Sequence, residues 1–344
     1  MTAAAGDKRL WLGIAVSVAL LALLFRSVDP RELIGALRGI EGIWLVPAVV
    51  LTLLSYLMRA VRWKYLLSPL KQTSFANRVS ATLIGYMANN LLPARLGELA
   101  RAYVLAEREG IGAGAVVATL VIDRLTDGFT VLLLLLAAVF TLRLPPGSEA
   151  AQQGLVAGGY ATLGLYLAVV VFLVVLRRNT TGTLRFLERL LKPFPPRFAA
   201  KVIPFLGAFI DGARLTPHGR ERLAVAATSL VIWVLAFLPI DCVLRAFGLN
   251  FPLSVSLFIL VLLVFAVMVP AAPGYVGTYH AACVYGLLAL GVPRETALSV
   301  AIVIHGVGFF PVIVVGLCCL WRENLSLSAL GRRASIPHSP QEGR

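Results

Sequence analysis

Long apolar stretches separated by short charged segments make up most of the chain. The apolar stretches cover residues 10–25, 42–62, 79–92, 111–142, 155–176, 223–247, 253–291 and 296–321. A helix needs about 20 residues to cross the hydrocarbon core of a bilayer, and most of these stretches are long enough. The pattern predicts an all-α integral membrane protein, a polytopic helical bundle with six to eight spans.

Two apolar stretches are interrupted in a similar way. Residues 89–101 read Asn-Asn-Leu-Leu-Pro-Ala-Arg-Leu-Gly-Glu-Leu-Ala-Arg, and residues 269–281 read Val-Pro-Ala-Ala-Pro-Gly-Tyr-Val-Gly-Thr-Tyr-His-Ala, so both contain Pro-x-x-x-Gly. Pro removes a backbone donor and Gly lets backbones approach closely, so a helix is expected to break at each site. Paired interruptions in the two halves of a membrane protein indicate a transport site. We expect two re-entrant helical hairpins, and two unrelated kinks are the alternative.

The charges of the loops indicate how the chain is oriented. Residues 26–41 contain three basic and three acidic side chains, whereas residues 59–78 contain five basic and no acidic ones. Residues 177–222 contain ten basic and three acidic side chains. Because basic loops remain in the cytoplasm, we expect cytoplasmic termini and hairpins that enter from opposite faces, as in an inverted repeat. If the second hairpin spans the membrane twice, the protein has eight spans instead of six.

The composition leaves room for one membrane domain. We expect this domain at residues 1–322, with repeat halves at about 42–176 and 223–321 joined by the basic cytoplasmic loop 177–222, and a disordered cytoplasmic tail at 323–344. The 344 residues are 59% hydrophobic and 14% charged, whereas soluble domains carry about 25% charged residues. In so apolar a chain, the net charge of +14 is typical of loops that face anionic lipid headgroups. We therefore expect no nucleic-acid partner.

A first charged cluster follows the first interruption. Arg95, Glu98 and Arg101 are spaced three residues apart, which places them along one side of a helix that begins after Pro93. A charge at membrane depth costs about 2.5 to 3.5 kcal/mol, so such residues are candidates for function. The excess positive charge lies near a helix start, where backbone amides also favour an anion.

A second charged cluster interrupts the next apolar stretch. Asp123 and Asp127 lie on one helical face, and Arg124 can pair with Asp127. These charges either neutralise one another and hold helices together, or they position Arg95, Arg101 and Arg124 around a phosphate-bearing headgroup, which the guanidinium fork suits. Buried charges need partners, so we expect the two clusters to lie within about 15 Å of each other.

Further polar residues lie around the interruptions. The candidate substrate-binding residues there are Asn89, Asn90, Tyr275, Tyr279 and His280. The two asparagines either line a cavity or satisfy the broken backbone. His280 and His305 are expected to be isolated, with packing favoured over a proton relay.

Other charged residues are expected to be structural. Arg59 and Arg62 end the second span and are expected to extend to cytoplasmic headgroups. Asp241 and Arg245 are four residues apart and are expected to pair.

No signature of a common enzyme class is present. The sequence contains no G-x-S-x-G, no H-E-x-x-H and no P-loop motif. The four cysteines lack the spacing of a metal site or a redox pair: Cys242, Cys283, Cys318 and Cys319. We therefore expect a protein that is not an enzyme and that binds no metal or cofactor.

Four motifs resemble a known family. They are Arg62-Trp63, the segment Asn-Leu-Leu-Pro-Ala-Arg-Leu-Gly-Glu-Leu-Ala-Arg at 90–101, Asp123-Arg124-x-x-Asp127, and Pro-Gly-Tyr-Val-Gly-Thr at 273–278. Over about residues 10–322 the sequence is similar to the transmembrane region of lysylphosphatidylglycerol synthase/flippases. The resemblance implies a polytopic protein of the bacterial or archaeal cytoplasmic (inner) membrane that moves a lipid between leaflets.

The resemblance also sets limits. The synthases have a separate domain that transfers lysine from aminoacyl-tRNA to phosphatidylglycerol, and these residues show no counterpart of it, so lysyl transfer is not expected. The family often has Glu where this chain has Asp123 and where it has His280, and the second departure argues against a shared acidic role there.

These observations leave one leading hypothesis and two alternatives. The leading hypothesis is a flippase for an anionic, phosphate-bearing lipid or lipid-linked precursor, held by the three arginines in a cavity at the membrane midplane. A membrane-embedded transferase of sugar or phosphate groups would have only Glu98, Asp123, Asp127 and His280 as nucleophile or base. The third possibility is an accessory subunit, without catalysis, that partners a lipid-modifying enzyme.

Overall fold

The computed structural model describes residues 3–26, 28–92, 96–142, 149–179, 182, 219–268, 272–323 and 325. Within these residues the chain forms helices and no strands, which confirms the all-α class. The α-helices are α1 (Ala3–Phe25), α2 (Pro30–Arg38), α3 (Leu45–Leu67), α4 (Phe75–Leu91), α5 (Gly97–Glu109), α6 (Ala113–Thr141), α7 (Glu149–Arg178), α8 (Gly219–Ala246), α9 (Leu253–Met268), α10 (Thr278–Leu288) and α11 (Arg294–Arg322). Short 3₁₀ turns lie at Gly42–Trp44 and Pro273–Tyr275.

Three helical segments in the described part of the chain are long and apolar enough to cross a membrane. They are Gly42–Leu67, Gly219–Ala246 and Arg294–Arg322. Large apolar side chains on these segments, such as Val50, Leu230 and Phe310, are exposed, as expected of a surface that contacts lipid. The total of six to eight spans stays a prediction.

Each interruption separates two short helices that pack against each other. The first pair is α4, with 17 residues, and α5, with 13 residues. The second pair is α9, with 16 residues, and α10, with 11 residues. All four helices are shorter than the roughly 20 residues that a span requires. Residues 93–95 and 269–271 lie outside the described residues, and the re-entrant path stays a prediction.

Glycines allow α4 to approach two of its neighbours closely. A Cβ atom on Gly97 of α5 would lie 2.0 Å from the carbonyl oxygen of Gly85 on α4. A Cβ atom on Gly316 of α11 would likewise lie 2.8 Å from the carbonyl oxygen of Leu83. Small residues at a helix contact let the backbones come together. Helix α4 is therefore tightly held by both α5 and α11.

The two interruptions meet inside the molecule. Gly274 lies in the 3₁₀ turn with a φ of 73°, and a Cβ atom added to it would lie 3.7 Å from the carbonyl oxygen of Asn90. The backbone N–H of Gly97 donates a hydrogen bond to Oδ1 of Asn89 at 2.9 Å. Asn89 therefore satisfies a backbone donor next to the break, which is one of the two roles considered for it.

One helix was not predicted from the hydrophobic pattern. Residues 26–41 were expected to form a loop, but they contain the nine-residue helix α2. Its N-cap is Asp29, followed by Pro30 at the first position, and both are common helix-start residues. The helix packs on α11, where the Ser299 hydroxyl donates to the Leu33 carbonyl oxygen at 3.3 Å.

Candidate functional site

Buried and half-buried charges from α3, α5 and α6 form one continuous network. We call its seven residues the arginine–carboxylate cluster: Arg59, Arg62, Glu98, Arg101, Asp123, Arg124 and Asp127. Asp123 lies 2.7 Å from Arg62, 3.1 Å from Arg101 and 3.1 Å from Arg124. Asp127 lies 2.9 Å from Arg59, 2.8 Å from Arg62 and 3.3 Å from Arg124. Each aspartate is thus shared by three guanidinium groups.

The network confirms that the two predicted clusters are neighbours. Arg101 and Asp123 are in direct contact, and Nε of Arg124 lies 3.6 Å from Oε1 of Glu98. Both distances are far below the expected limit of about 15 Å. Arg95 lies outside the described residues, so its part in the site stays a prediction.

The expectation that Arg59 and Arg62 extend to the headgroups is wrong. Arg62 is completely buried and Arg59 is 8% exposed. Both donate hydrogen bonds to Asp127, Arg59 at 2.9 Å and Arg62 at 2.8 Å. A buried guanidinium needs a counter-charge, and the aspartates on α6 lie at the same depth. These two arginines therefore belong to the candidate site.

Arg101 has hydrogen-bonding capacity that the described residues do not use. It is 1% exposed, yet its Nε and Nη2 atoms have no hydrogen-bond partner among the described residues. Its guanidinium lies 3.9 Å from the ring centroid of Trp63, which is fixed in turn by a 2.9 Å hydrogen bond from Nε1 to Thr119. Buried donors without partners are rare and costly. Arg101 therefore has two N–H donors that its pairing with Asp123 does not use.

The charges of the cluster do not balance. Four of its members are arginines and three are carboxylates, so one positive charge is uncompensated within the described site. Water screens part of this charge, because the Arg124 side chain is 39% exposed, and an anion that joined the site would compensate the rest.

An apolar cavity of about 370 Å³ adjoins the cluster. Its walls come from α3, α4, α8, α9, α10 and α11 and are mostly aliphatic. Arg59 and Tyr86 line it, and the Arg59 guanidinium lies 5.3 Å from the Tyr86 ring and 5.6 Å from the Trp233 ring. The Tyr86 hydroxyl accepts a hydrogen bond from Arg124 at 2.7 Å. A cavity with apolar walls and a cation on one side suits an amphipathic ligand.

The polar residues of the second interruption divide between the cavity and its surroundings. Tyr279 lines the cavity, whereas Tyr275 packs near Phe309, with 6.1 Å between ring centroids. His280 and His305, expected to be isolated, form a pair with ring centroids 4.9 Å apart. The structure therefore brings Tyr279 to the same cavity as Arg59, but Tyr275 and His280 do not line it.

A polar stripe on α3 could have revealed the residues that the sequence reasoning missed. Thr52, Ser55, Tyr56 and Arg59 follow the helical spacing i, i+3, i+4, i+7, and all four line the cavity. A polar face on an apolar helix faces the interior of a bundle. Tyr86 and Trp233 gave no comparable signal, because aromatic residues are equally common in ordinary helix packing.

Two comparisons with known proteins bear on this site. Residues 10–316 match the family model described as the lysylphosphatidylglycerol synthase TM region. A relative, the glycosyltransferase AglD of Haloferax volcanii, is 27% identical over 344 aligned positions. The alignment covers 92% of this chain and 54% of that relative, so the chain spans about half the length of the curated relative it matches.

The named relative overturns the expectation that this protein is not an enzyme. Its name describes glycosyl transfer, so the similarity points to a possible enzyme. The absence of G-x-S-x-G, H-E-x-x-H and P-loop motifs from the sequence argues only against the reactions that use those motifs. The matched family and the long apolar helices together identify a multi-pass membrane protein with a lipid-related role.

Proposed function

The chain belongs to the family of the lysylphosphatidylglycerol synthase transmembrane region, and we propose that it moves a phosphate-bearing lipid between the leaflets of the membrane. The observation that carries this proposal is Arg101, a buried arginine with unused donors in a cluster that has one excess positive charge. The headgroup binds there as an anion, and the apolar cavity beside Arg59 accommodates part of a hydrocarbon chain.

The chemistry of the cluster suits phosphate. A guanidinium presents paired N–H groups that match two oxygens of a phosphate, and such charge-assisted bonds are among the strongest hydrogen bonds in proteins. Asp123 holds Arg101 at 3.1 Å and so keeps its free edge in a fixed orientation. A phosphate would also compensate the excess positive charge. In this proposal Arg95 adds a further ligand from the first interruption.

The two pairs of short helices supply the path. We propose that α4 with α5 and α9 with α10 are re-entrant hairpins that enter from opposite faces, as an inverted repeat. Their shortness supports this, and so does the contact between Gly274 and Asn90, which joins the two breaks. The lipid would pass along this junction in the cytoplasmic membrane of a bacterium or archaeon, with both termini in the cytoplasm.

Lipid movement is testable in proteoliposomes with a fluorescent phosphatidylglycerol and a membrane-impermeant quencher. Arg101→Gln is expected to slow movement by about ten- to a hundredfold, because one charge-assisted contact contributes about 1.5 to 3 kcal/mol. Arg101→Lys should restore part of the rate, because an ammonium keeps the charge but not the fork. Asp241→Asn, in the ion pair with Arg245 on α8, is the matched control and should move lipid normally.

The melting temperature of each variant in detergent separates function from folding. The proposal fails if Arg101→Gln loses movement only in proportion to lost folded protein. In that case the arginines hold helices together, and the headgroup binds elsewhere.

Transfer of a sugar to a lipid is a second candidate, favoured by the named activity of the relative. Glu98 is the carboxylate suited to act as a base, because its Oε2 atom has no hydrogen-bond partner in the described part of the chain. One arginine, Arg124, lies 3.6 Å from its Oε1 atom, whereas Asp123 and Asp127 are each held by three arginines at 2.7 to 3.3 Å. Incubation with sugar nucleotides and lipid phosphates, followed by mass spectrometry, tests this activity. A glycosylated lipid that is lost in Glu98→Gln would support it, and movement without any product would favour transport.

A further inference from the structure

A buried histidine and a half-buried one form a second polar site beside the cavity. His280 on α10 is 7% exposed, and its ring centroid lies 4.9 Å from that of His305 on α11. The ring of Tyr279, which lines the cavity, lies 5.1 Å from the ring of His305. Neither histidine belongs to the arginine–carboxylate cluster. The pair therefore needs an explanation of its own.

The hydrogen bonds of the pair define where a proton can bind. Nε2 of His305 lies 2.8 Å from the carbonyl oxygen of Gly274. A carbonyl oxygen can only accept, so Nε2 carries hydrogen and Nδ1 is the basic nitrogen of the neutral ring. Nδ1 of His280 is buried without a hydrogen-bond partner among the described residues. The pair thus has basic capacity that no protein group in the described part satisfies.

The surroundings of the pair contain few titratable groups. Those on neighbouring positions are Tyr279 and Cys283 on α10, Tyr275 in the 3₁₀ turn and Tyr56 on α3. Among the described side chains, no carboxylate, lysine or arginine makes a hydrogen bond or an ion pair with either imidazole. The charge state of the pair is therefore set by the two rings and by their access to water.

We propose that His280 and His305 together bind one proton and that this proton controls lipid movement, an inference that rests on the proposed function. Hydronium on one side of the membrane gives up the proton, so that one of its O–H bonds breaks as the N–H bond forms. On the other side the N–H bond breaks and a water molecule takes the proton, with no change of oxidation state. Two imidazolium rings at this separation would repel strongly away from water, so one proton is shared by the pair.

The junction of the two interruptions couples the proton to the lipid path. His305 holds the carbonyl of Gly274, and Gly274 lies against the backbone of Asn90 at the end of α4. A charged donor makes a hydrogen bond about twice as strong as a neutral one. Proton uptake therefore tightens the second turn against the first, and proton release loosens it. The proton also adds positive charge near the cavity that Arg59 lines.

Nitrogen-15 NMR of histidine-labelled protein in lipid nanodiscs tests the proton site without any lipid movement. The chain has four histidines, and replacing His218 and His338 by Gln leaves only the signals of the pair. Between about pH 4 and pH 8 we expect one ring, and not both, to become imidazolium. In His305→Gln the signal of His280 should titrate at a shifted pH. Two rings that stay neutral throughout, or that both become charged, would overturn the proposal.

Proteoliposomes with an imposed pH gradient test the coupling. One coupled proton changes the rate of lipid movement by up to about tenfold per pH unit. His305→Gln should lose this dependence, because the glutamine amide can still donate to Gly274 but cannot titrate, and His280→Gln should behave in the same way. The His218→Gln/His338→Gln protein is the matched control and should keep the dependence.

Each result of the gradient experiment has one meaning. A pH dependence that persists in both variants, or its absence in the control protein, overturns the proposed coupling. If the control protein moves no lipid at all, the proposed function fails, while the NMR titration still decides whether the pair binds a proton.

Discussion

At the scale of single residues, Asp123 holds the arginine–carboxylate cluster together. It is fully buried and contacts three arginines. Asp123→Asn keeps the shape of the side chain but removes the carboxylate that pairs with Arg101, whereas Arg62 and Arg124 keep Asp127. Breaking a buried ion pair costs about 3 to 5 kcal/mol. We expect a marked fall in the melting temperature in detergent. Asp241→Asn should lower it less, because the partner Arg245 reaches solvent, and equal losses would contradict this account.

The residues that could be predicted are those whose partners are close in sequence. Asp241 and Arg245 were expected to pair from their spacing, and they do so at 2.7 Å. Arg124 was likewise expected to pair with Asp127, and it lies 3.3 Å away. Arg59 and Arg62 could not be identified as partners in this way, because Arg62 lies 61 residues before Asp123. Charge counting showed that a buried cluster existed, but only the packing of α3 against α6 shows which arginines complete it.

At the scale of helices, the contact of α4 with α5 determines where Arg101 lies. A methyl group on Gly97 would lie 2.0 Å from a backbone oxygen, which cannot move aside as a side chain can. Gly97→Ala is therefore expected to separate the helices, to lower the free energy of unfolding by about 1 to 3 kcal/mol or more, and to slow lipid movement.

Gly114→Ala on α6 is the matched control, because nothing lies within 4 Å of its Cβ position. It should be neutral or slightly stabilising, since Ala is the better helix former. A normal melting temperature for Gly97→Ala would refute the close contact.

The helices themselves follow from the hydrophobic pattern, but their approach does not. The bounds of α4 and α10 fall where Pro and Gly interrupt the apolar stretches, so the breaks were predictable. The role of Gly316 was not, because a glycine inside a long apolar helix indicates a close contact only once the facing helix is known. Helix α2 was missed because nine residues are too short for the pattern of a span.

At the scale of the whole molecule, the connecting segments lie at two ends of the helical bundle. Hydrogen bonds and ion pairs show which segments lie at the same end. At one end the N–H of Glu41 donates to the carbonyl oxygen of Ala246 at 2.9 Å, near the pair of Asp241 and Arg245. At the other end Glu323 accepts a hydrogen bond from Ser80 at 2.8 Å and pairs with Arg108. The exposed Lys64 and Lys71 belong to this second end, whereas Arg59 and Arg62 are buried in the arginine–carboxylate cluster. The grouping agrees with loop charge as the determinant of orientation.

This grouping leads to a prediction about the orientation of the protein in the cell membrane. Single cysteines at exposed positions, introduced after replacement of the four native cysteines, can be labelled in intact cells with an impermeant maleimide. Gly39→Cys, in the charge-balanced segment, is expected to react. Lys71→Cys and Arg178→Cys, in or next to basic segments, are expected to react only after the membrane is opened, because basic loops remain in the cytoplasm. Each variant is its own control when opened membranes are labelled in parallel.

Labelling of Gly39→Cys and Arg178→Cys in the same compartment would mean that the loop charges do not set the orientation. The proposal that the two hairpins enter from opposite faces would then have no support from loop charge.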